Sequence, residues 1–101
     1  MTKKLWEILV PGGYGFNHHA IWDSKVMDIA GGLTVLRPLK GRWVSPDGEV
    51  FKEPMIPVRI MCTDKQIVKI ADMTMEHYGQ QSVMVYKLSD EVFQYWRKKD
   101  G

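Results

Sequence analysis

Along the chain the apolar positions switch between compact runs and a spacing of three to four, which separates strands from helices. Residues 5–10 are a short run of strand formers, closed by Pro11-Gly12-Gly13. Over about 18–30, Trp22, Val26, Ile29 and Ala30 share one face of a helix, and Asp23, Lys25 and Asp28 take the remainder. Asn17 is the expected N-cap, and Gly31-Gly32 the stop. Residues 33–36 and 41–45 read as one strand bent at Pro38. Pro46-Asp47-Gly48 is a turn, because proline presets the first turn angle and glycine accepts positive φ. A third strand covers about 49–62. Pro54 and Pro57 cannot donate ladder hydrogen bonds, so its first half is expected at an edge or a bulge. Thr63-Asp64-Lys65-Gln66 is a capping box that opens a second helix, with Ile67, Ile70, Ala71, Thr74 and Tyr78 as its buried stripe and Gly79 as its C-cap. Residues 82–88 are almost continuously apolar, which predicts a central strand covered on both faces. Ser89-Asp90-Glu91 starts a short last element carrying Val92, Phe93, Tyr95 and Trp96.

The predicted order is β-α-β-β-α-β in a single domain over residues 1–101. Two helices on one face of a four-stranded antiparallel sheet make a ferredoxin-like α+β sandwich. The other sheet face then lacks helical cover. Four tryptophans, four tyrosines, three phenylalanines and seven methionines are plentiful for 101 residues, so that face is expected to be buried by self-association. PII-like and CutA-type proteins use this architecture as trimers, an analogy of fold that specifies no function.

Composition narrows the class further. Hydrophobic residues make 45% and charged residues 26%, which excludes a disordered or fibrous chain. No apolar run approaches the roughly 18 residues of a membrane helix, and Leu5-Trp6-Glu7-Ile8-Leu9-Val10 does not read as a secretory signal. The net charge of +2, from 14 basic and 12 acidic residues, does not call for nucleic acid as a partner. Arg97-Lys98-Lys99 reads as a solubilising terminus. The lone Cys62 excludes an internal disulfide and a multi-cysteine zinc site, and points to a reduced, cytoplasmic protein.

Several residues could carry chemistry. His18 and His19 are adjacent on a helix, about 100° apart, so they do not readily share one metal and read as structural or solvated. No metal site is expected. Cys62 ends a strand before a helix start, a position that can activate a thiol, but no nearby histidine serves it, and it reads as a buried structural residue. Pro11-Gly12-Gly13-Tyr14-Gly15 joins a strand to a helix. It is either a plain flexible loop or one that lets the backbone approach an anionic group; it fits neither a Walker nor a Rossmann pattern. Glu49, Glu53, Asp90 and Glu91 are carboxylates near strand ends. Glu53 stands out between Lys52 and Pro54, where ladder pairing is disturbed. Trp43, after Gly41-Arg42, either packs in a core or subunit contact or stacks on a flat ring such as adenine.

The run Val58-Arg59-Ile60-Met61-Cys62-Thr63-Asp64-Lys65, the helix after it and Gln81-Ser82-Val83-Met84-Val85-Tyr86-Lys87 resemble the phage enzymes that cleave S-adenosylmethionine, now viewed as lyases. Ala30-Gly31-Gly32-Leu33 and Gly41-Arg42-Trp43 are similar to two further motifs of that family. The resemblance spans most of the chain. It implies a homotrimer with sites between subunits and no cofactor. The substrate's own carboxylate attacks its γ-carbon, releasing methylthioadenosine and homoserine lactone. Glu53 matches the family's catalytic glutamate after a one-residue shift that a bulge at Pro57 absorbs. Asp90, or Glu91, matches a second acid, with Asp90 as the catalytic candidate and Glu91 on the substrate. Trp43 stands where the family usually has tyrosine, keeping the stacking face without the hydroxyl. Gly12, Gly13 and Tyr14 are candidates for the substrate's carboxylate. Gly32-Leu33-Thr34-Val35-Leu36, Gly41-Arg42-Trp43, Pro46-Asp47-Gly48, Glu53 and Gln80-Gln81-Ser82-Val83 also resemble a bacterial domain of unknown function. The alternative to an enzyme is a non-catalytic PII-like module that binds a small nucleotide or a protein partner.

Overall fold

The structure, a computed structural model, describes residues 2–98; Lys99 of the basic tail lies outside them. Its elements are β1 (Lys4–Pro11), α1 (Phe16–Ala30), β2 (Thr34–Val35), β3 (Leu39–Val44), β4 (Val50–Cys62), α2 (Asp64–Tyr78) and β5 (Val85–Ser89). All strand pairs are antiparallel. The path across the sheet is β2-β4-β1-β5, and β3 also pairs with β4. The α+β ferredoxin-like arrangement expected from the chain is present.

Two alternating sets of residues give the sheet its two faces. Ile8, Val10, Val58, Ile60 and Cys62 point at the helices, where Trp22, Val26, Ile67, Ile70 and Tyr78 close the core. Trp22 is buried, and its indole N–H donates to Thr74 Oγ1 at 2.9 Å, so the largest core side chain has its polar atom satisfied. Leu5, Glu7 and Leu9 alternate with the core set and face the other way, as do Met55, Pro57, Arg59 and Met61 across the register. No helix among the described residues covers them.

The helix boundaries follow local chemistry. Thr63 accepts from the backbone N–H of Gln66, the Gln66 side chain accepts from the N–H of Thr63, and Gly79 ends α2, as the capping box predicts. Asn17 is not the cap of α1. The helix begins earlier, at Phe16, with Gly15 at the N-cap and no side-chain cap bond.

Three further expectations change. The strand expected to bend at Pro38 is divided into β2 and β3, so the sheet has five strands rather than four among the described residues. The bulge expected at Pro57 is absent. The β4 register runs unbroken through Lys40↔Pro54 and Leu9↔Pro57, and the irregularity lies between Leu5 and Trp6 against β5. Both prolines fit because a strand residue's N and O point to the same side. The Pro54 carbonyl accepts from Gly12 N and the Pro57 carbonyl from Leu36 N, each just beyond the end of a neighbouring strand. The missing N–H groups therefore face no ladder partner. Residues 50–54 pair with β3 alone, the edge position the prolines indicated.

Finally, β5 is an edge strand, not a central one. Its run is apolar for another reason: Val83 and Val85 pack on the core, while Met84, Tyr86 and Leu88 lie exposed on the uncovered face. After Ser89 no regular element forms among the described residues, and Phe93, Tyr95 and Trp96 are exposed.

Replacing Thr63 by alanine removes the cap acceptor and should cost about 1 kcal/mol. For a domain of this size that lowers the melting temperature by roughly 4–8 °C, measurable by calorimetry.

Candidate functional site

The end of β1, the loop after it and the first half of β4 meet at one place. Gly12 N donates to the Pro54 carbonyl at 2.8 Å, which stitches the glycine loop to β4. A Cβ on Gly12 would lie 3.2 Å from Pro54 Cβ and O, so this approach favours glycine. Beyond it, Pro11, Gly13, Tyr14, Glu53, Pro54 and Gln80 line a depression of about 160 Å³. The Tyr14 hydroxyl donates to the Tyr78 carbonyl at 2.7 Å, and its ring stacks on His18 at 4.9 Å. Glu53 is half-buried.

Four of the residues singled out in the sequence, Gly12, Gly13, Tyr14 and Glu53, are thus neighbours. Trp43 is close to them in the ladder. Gly41 pairs with Glu53 and Trp43 with Phe51, so Trp43 and Glu53 are diagonal neighbours on one face. The Gly-x-aromatic motif has a packing reason: a Cβ on Gly41 would come within 2.9 Å of Trp43 Cζ3 and of Met55 Cγ, so the glycine leaves room for the indole. Trp43 also stacks on Phe51 at 6.5 Å and stays 41% exposed.

Asp90 and Glu91 lie elsewhere. They follow Ser89, which pairs with Leu5, whereas Glu53 lies beyond Pro11 at the other end of β1. The strand between Leu5 and Pro11 spans about 20 Å. One chain cannot bring Asp90 to Glu53. Asp90 is exposed and pairs with Lys87, whose ammonium holds its carboxyl below the usual range. Glu91 is exposed too, its backbone N–H donating to Ser89 Oγ at 3.2 Å.

Of the two readings the chain left open for His18 and His19, structural and solvated, their hydrogen bonds fit the structural one. The His18 ring donates to the His77 carbonyl at 2.9 Å, and His19 Nδ1 meets the Tyr78 hydroxyl at 2.6 Å. Burial pushes the Tyr78 hydroxyl up, so it stays protonated. Among the described residues no group of three or more His, Cys, Asp or Glu has the placement of a metal site. A larger hollow, lined by Thr2, Lys4, Thr63 and Asp64, holds none of the predicted residues, and the 2.9 Å Lys4–Asp64 ion pair lies in its wall.

The uncovered face carries a cluster that the linear sequence did not reveal. Glu7, 7% exposed, accepts from Arg59 Nε at 3.1 Å and from the Tyr86 hydroxyl. The hydrogen bond to Glu7 raises the Tyr86 hydroxyl's pKa. Arg59 and Tyr86 stand 52 and 79 residues from Glu7, so only the ladders that place them on either side assemble the trio. The one sequence signal was a lone acid inside an apolar strand. Gln80, quoted from the sequence only within the Gln80-Gln81-Ser82-Val83 motif, joins the lining of the depression.

No protein-family model matches the chain, and no curated protein matches it in sequence. Its fold is similar to that of solved structures. The divalent cation tolerance protein CutA1 of Thermus thermophilus aligns over 86% of this chain and 82% of its own, with TM-score 0.67 and 12% identity. The periplasmic CutA of Archaeoglobus fulgidus aligns over 95% and 89%, with TM-score 0.68 and 7% identity. A phage S-adenosylmethionine lyase in complex with S-methyl-5'-thioadenosine aligns over 87% and 81%, with TM-score 0.68 and 12% identity. At such identities the likeness establishes the fold: both resemblances, to the phage lyases and to CutA, are present at that level. No helix among the described residues is long and apolar enough to cross a membrane.

Cys62 is fully buried, and burial, with Asp64 nearby, pushes its thiol up to about 11. The thiolate is scarce at pH 8, so a thiol reagent should label the folded protein at least about 100-fold more slowly than the unfolded chain, as followed by absorbance. Because the folded value is the higher one, the thiol's contribution to stability is complete below about 9 and declines as pH rises through about 11.

Proposed function

We propose that the depression between Tyr14 and Glu53 binds S-adenosylmethionine, and that the protein cleaves it to methylthioadenosine and homoserine lactone. The observation that carries this reading is the meeting of Gly13, Tyr14 and Glu53 around one hollow, with Trp43 diagonal to Glu53. The likeness of the fold to a lyase that holds methylthioadenosine supports it.

The chemistry asks for little beyond positioning. A carboxylate oxygen of the substrate forms a bond to its own γ-carbon. The γ-carbon–sulfur bond breaks, its electron pair stays on sulfur, and the sulfonium becomes a neutral thioether. Atoms and charge balance with no water and no further reactant. The need is a folded substrate conformer held ready for attack. Glu53 suits the α-ammonium group, whose charge is the same before and after reaction, so the carboxylate orients the substrate without favouring its ground state. Tyr14 and Trp43 offer flat faces to the adenine.

The second acid requires another copy of the chain. The uncovered sheet face exposes Met84, Tyr86, Leu88 and Trp43, a surface that further copies, three in a closed ring, would bury against each other. Such an assembly can bring Asp90 and Glu91 of one subunit toward Glu53 of the next. The reading places the protein in the cytoplasm, where this substrate is found. A second reading, saturable binding of an adenosine compound without turnover, is favoured by the distance of Asp90 from Glu53 within the chain.

Purified protein incubated with S-adenosylmethionine should yield methylthioadenosine by chromatography. Glu53→Gln should keep its melting temperature and lose about 100-fold or more in rate; an unchanged rate removes Glu53 from the mechanism. A rise in melting temperature with adenosine compounds but no product selects the binding reading. A solution mass equal to one chain rules out the shared site.

A further inference from the structure

The end of α2 is joined to the start of α1 by two histidines that the proposed chemistry does not use. The His18 ring donates through Nε2 to the His77 carbonyl at 2.9 Å, and the His77 ring donates through Nε2 to the His18 carbonyl at 2.7 Å. The rings stack at 4.1 Å with 25° between their planes. Lys25 Nζ lies 3.4 Å from His77 Nδ1. An ammonium only donates, so it keeps the imidazole proton on Nε2, where it serves the His18 carbonyl.

The clasp has a reason in helix-end chemistry. The last four carbonyls of a helix lack intrahelical partners. In α2 those of Met75 and Glu76 accept from Gln80 N and Gly79 N, that of His77 from His18, and that of Tyr78 from Tyr14. Two of the four are thus closed by side chains from the glycine loop and the first turn of α1. Tyr14 is held twice, by this hydrogen bond and by its stack on His18. No ring contact or hydrogen bond joins His77 to Tyr14 among the described residues, so any influence of His77 on Tyr14 passes through His18 or the end of α2.

We propose that His77 is a positioning residue: by clasping His18 it fixes the ring on which Tyr14 stacks, and with it the wall of the ligand depression. The inference rests on the reading of that depression as a ligand site. It adds a residue on another element, far along the chain from the loop it serves. Histidine suits the post because it combines a flat face for stacking with an edge N–H for the carbonyl. A glutamine supplies only a donor. The Trp22–Thr74 hydrogen bond and the core beneath it hold α1 on α2 independently, so the effect of losing the clasp stays at the loop end.

The test compares wild type, His77→Ala and His77→Gln by NMR of the Tyr14 ring and by titration with methylthioadenosine. In wild type the His18 and Tyr78 rings displace the Tyr14 signals. In His77→Ala those signals should move toward the positions of the exposed Tyr95, and the dissociation constant should rise about tenfold. His77→Gln should recover part of that loss, and Trp22 fluorescence should be unchanged in both variants. Unmoved Tyr14 signals in His77→Ala overturn the proposal, and so do moved signals with unaltered affinity. If wild type binds no adenosine compound, the ligand reading falls, and the Tyr14 signals alone decide whether His77 holds the loop.

Discussion

Strand β4 has thirteen residues and each helix fifteen. At their respective rises the strand extends about 43 Å and a helix about 22 Å. Two such helices cover the half of β4 that pairs with β1 and leave the other half without an apolar roof. That mismatch shapes the molecule, whose extents are 61 × 29 × 22 Å. The covered half is a core. The remainder, with β3, is a two-stranded arm, and Glu53 sits where the two meet. A two-stranded ribbon is marginal by itself. Here it continues a central strand and gains Gly12 as an extra partner for Pro54, so the arm holds its course past the end of β1.

The same covering leaves one sheet face open. Its composition is not that of an ordinary solvated surface. Leucine, methionine and aromatic side chains share it with a carboxylate each of whose oxygens accepts one hydrogen bond, Oε1 from Arg59 and Oε2 from Tyr86. A polar group amid apolar neighbours is tolerable when its hydrogen bonds are made within the chain, and the trio meets that condition. A face of this kind suits contact with more protein better than contact with water. The candidate site lies at the edge of that face, and Asp90 and Glu91 follow the far end of β5.

Much of the candidate site was legible because it depends on local backbone chemistry. Glycines after a strand marked the loop, and proline beside Glu53 marked the point where β4 leaves its partner. The resemblance implies that Asp90 and Glu53 meet between subunits; within one chain the register puts them at opposite ends of β1. The spacing of His18 and His19 spoke only against a shared metal and left them structural or solvated; the part they play was not legible. His77 drew no attention, since its partner is 59 residues away.

What the amino-acid order alone determined was a set of features decided within a few residues: the capping box at Thr63, the glycine that ends α2, the helical stripes, and the loss of pairing heralded by Pro54. These need only short-range hydrogen bonds and the alternation of side chains. What tertiary structure decided was anything that depends on which strands become neighbours. An apolar run such as 82–88 looks the same whether it is roofed on both sides or roofed on one and bare on the other, and only the strand order made β5 an edge. In the same way Glu7 found Arg59 and Tyr86, and Tyr14 found Glu53, because the ladders fixed where chain segments far apart in sequence come to lie.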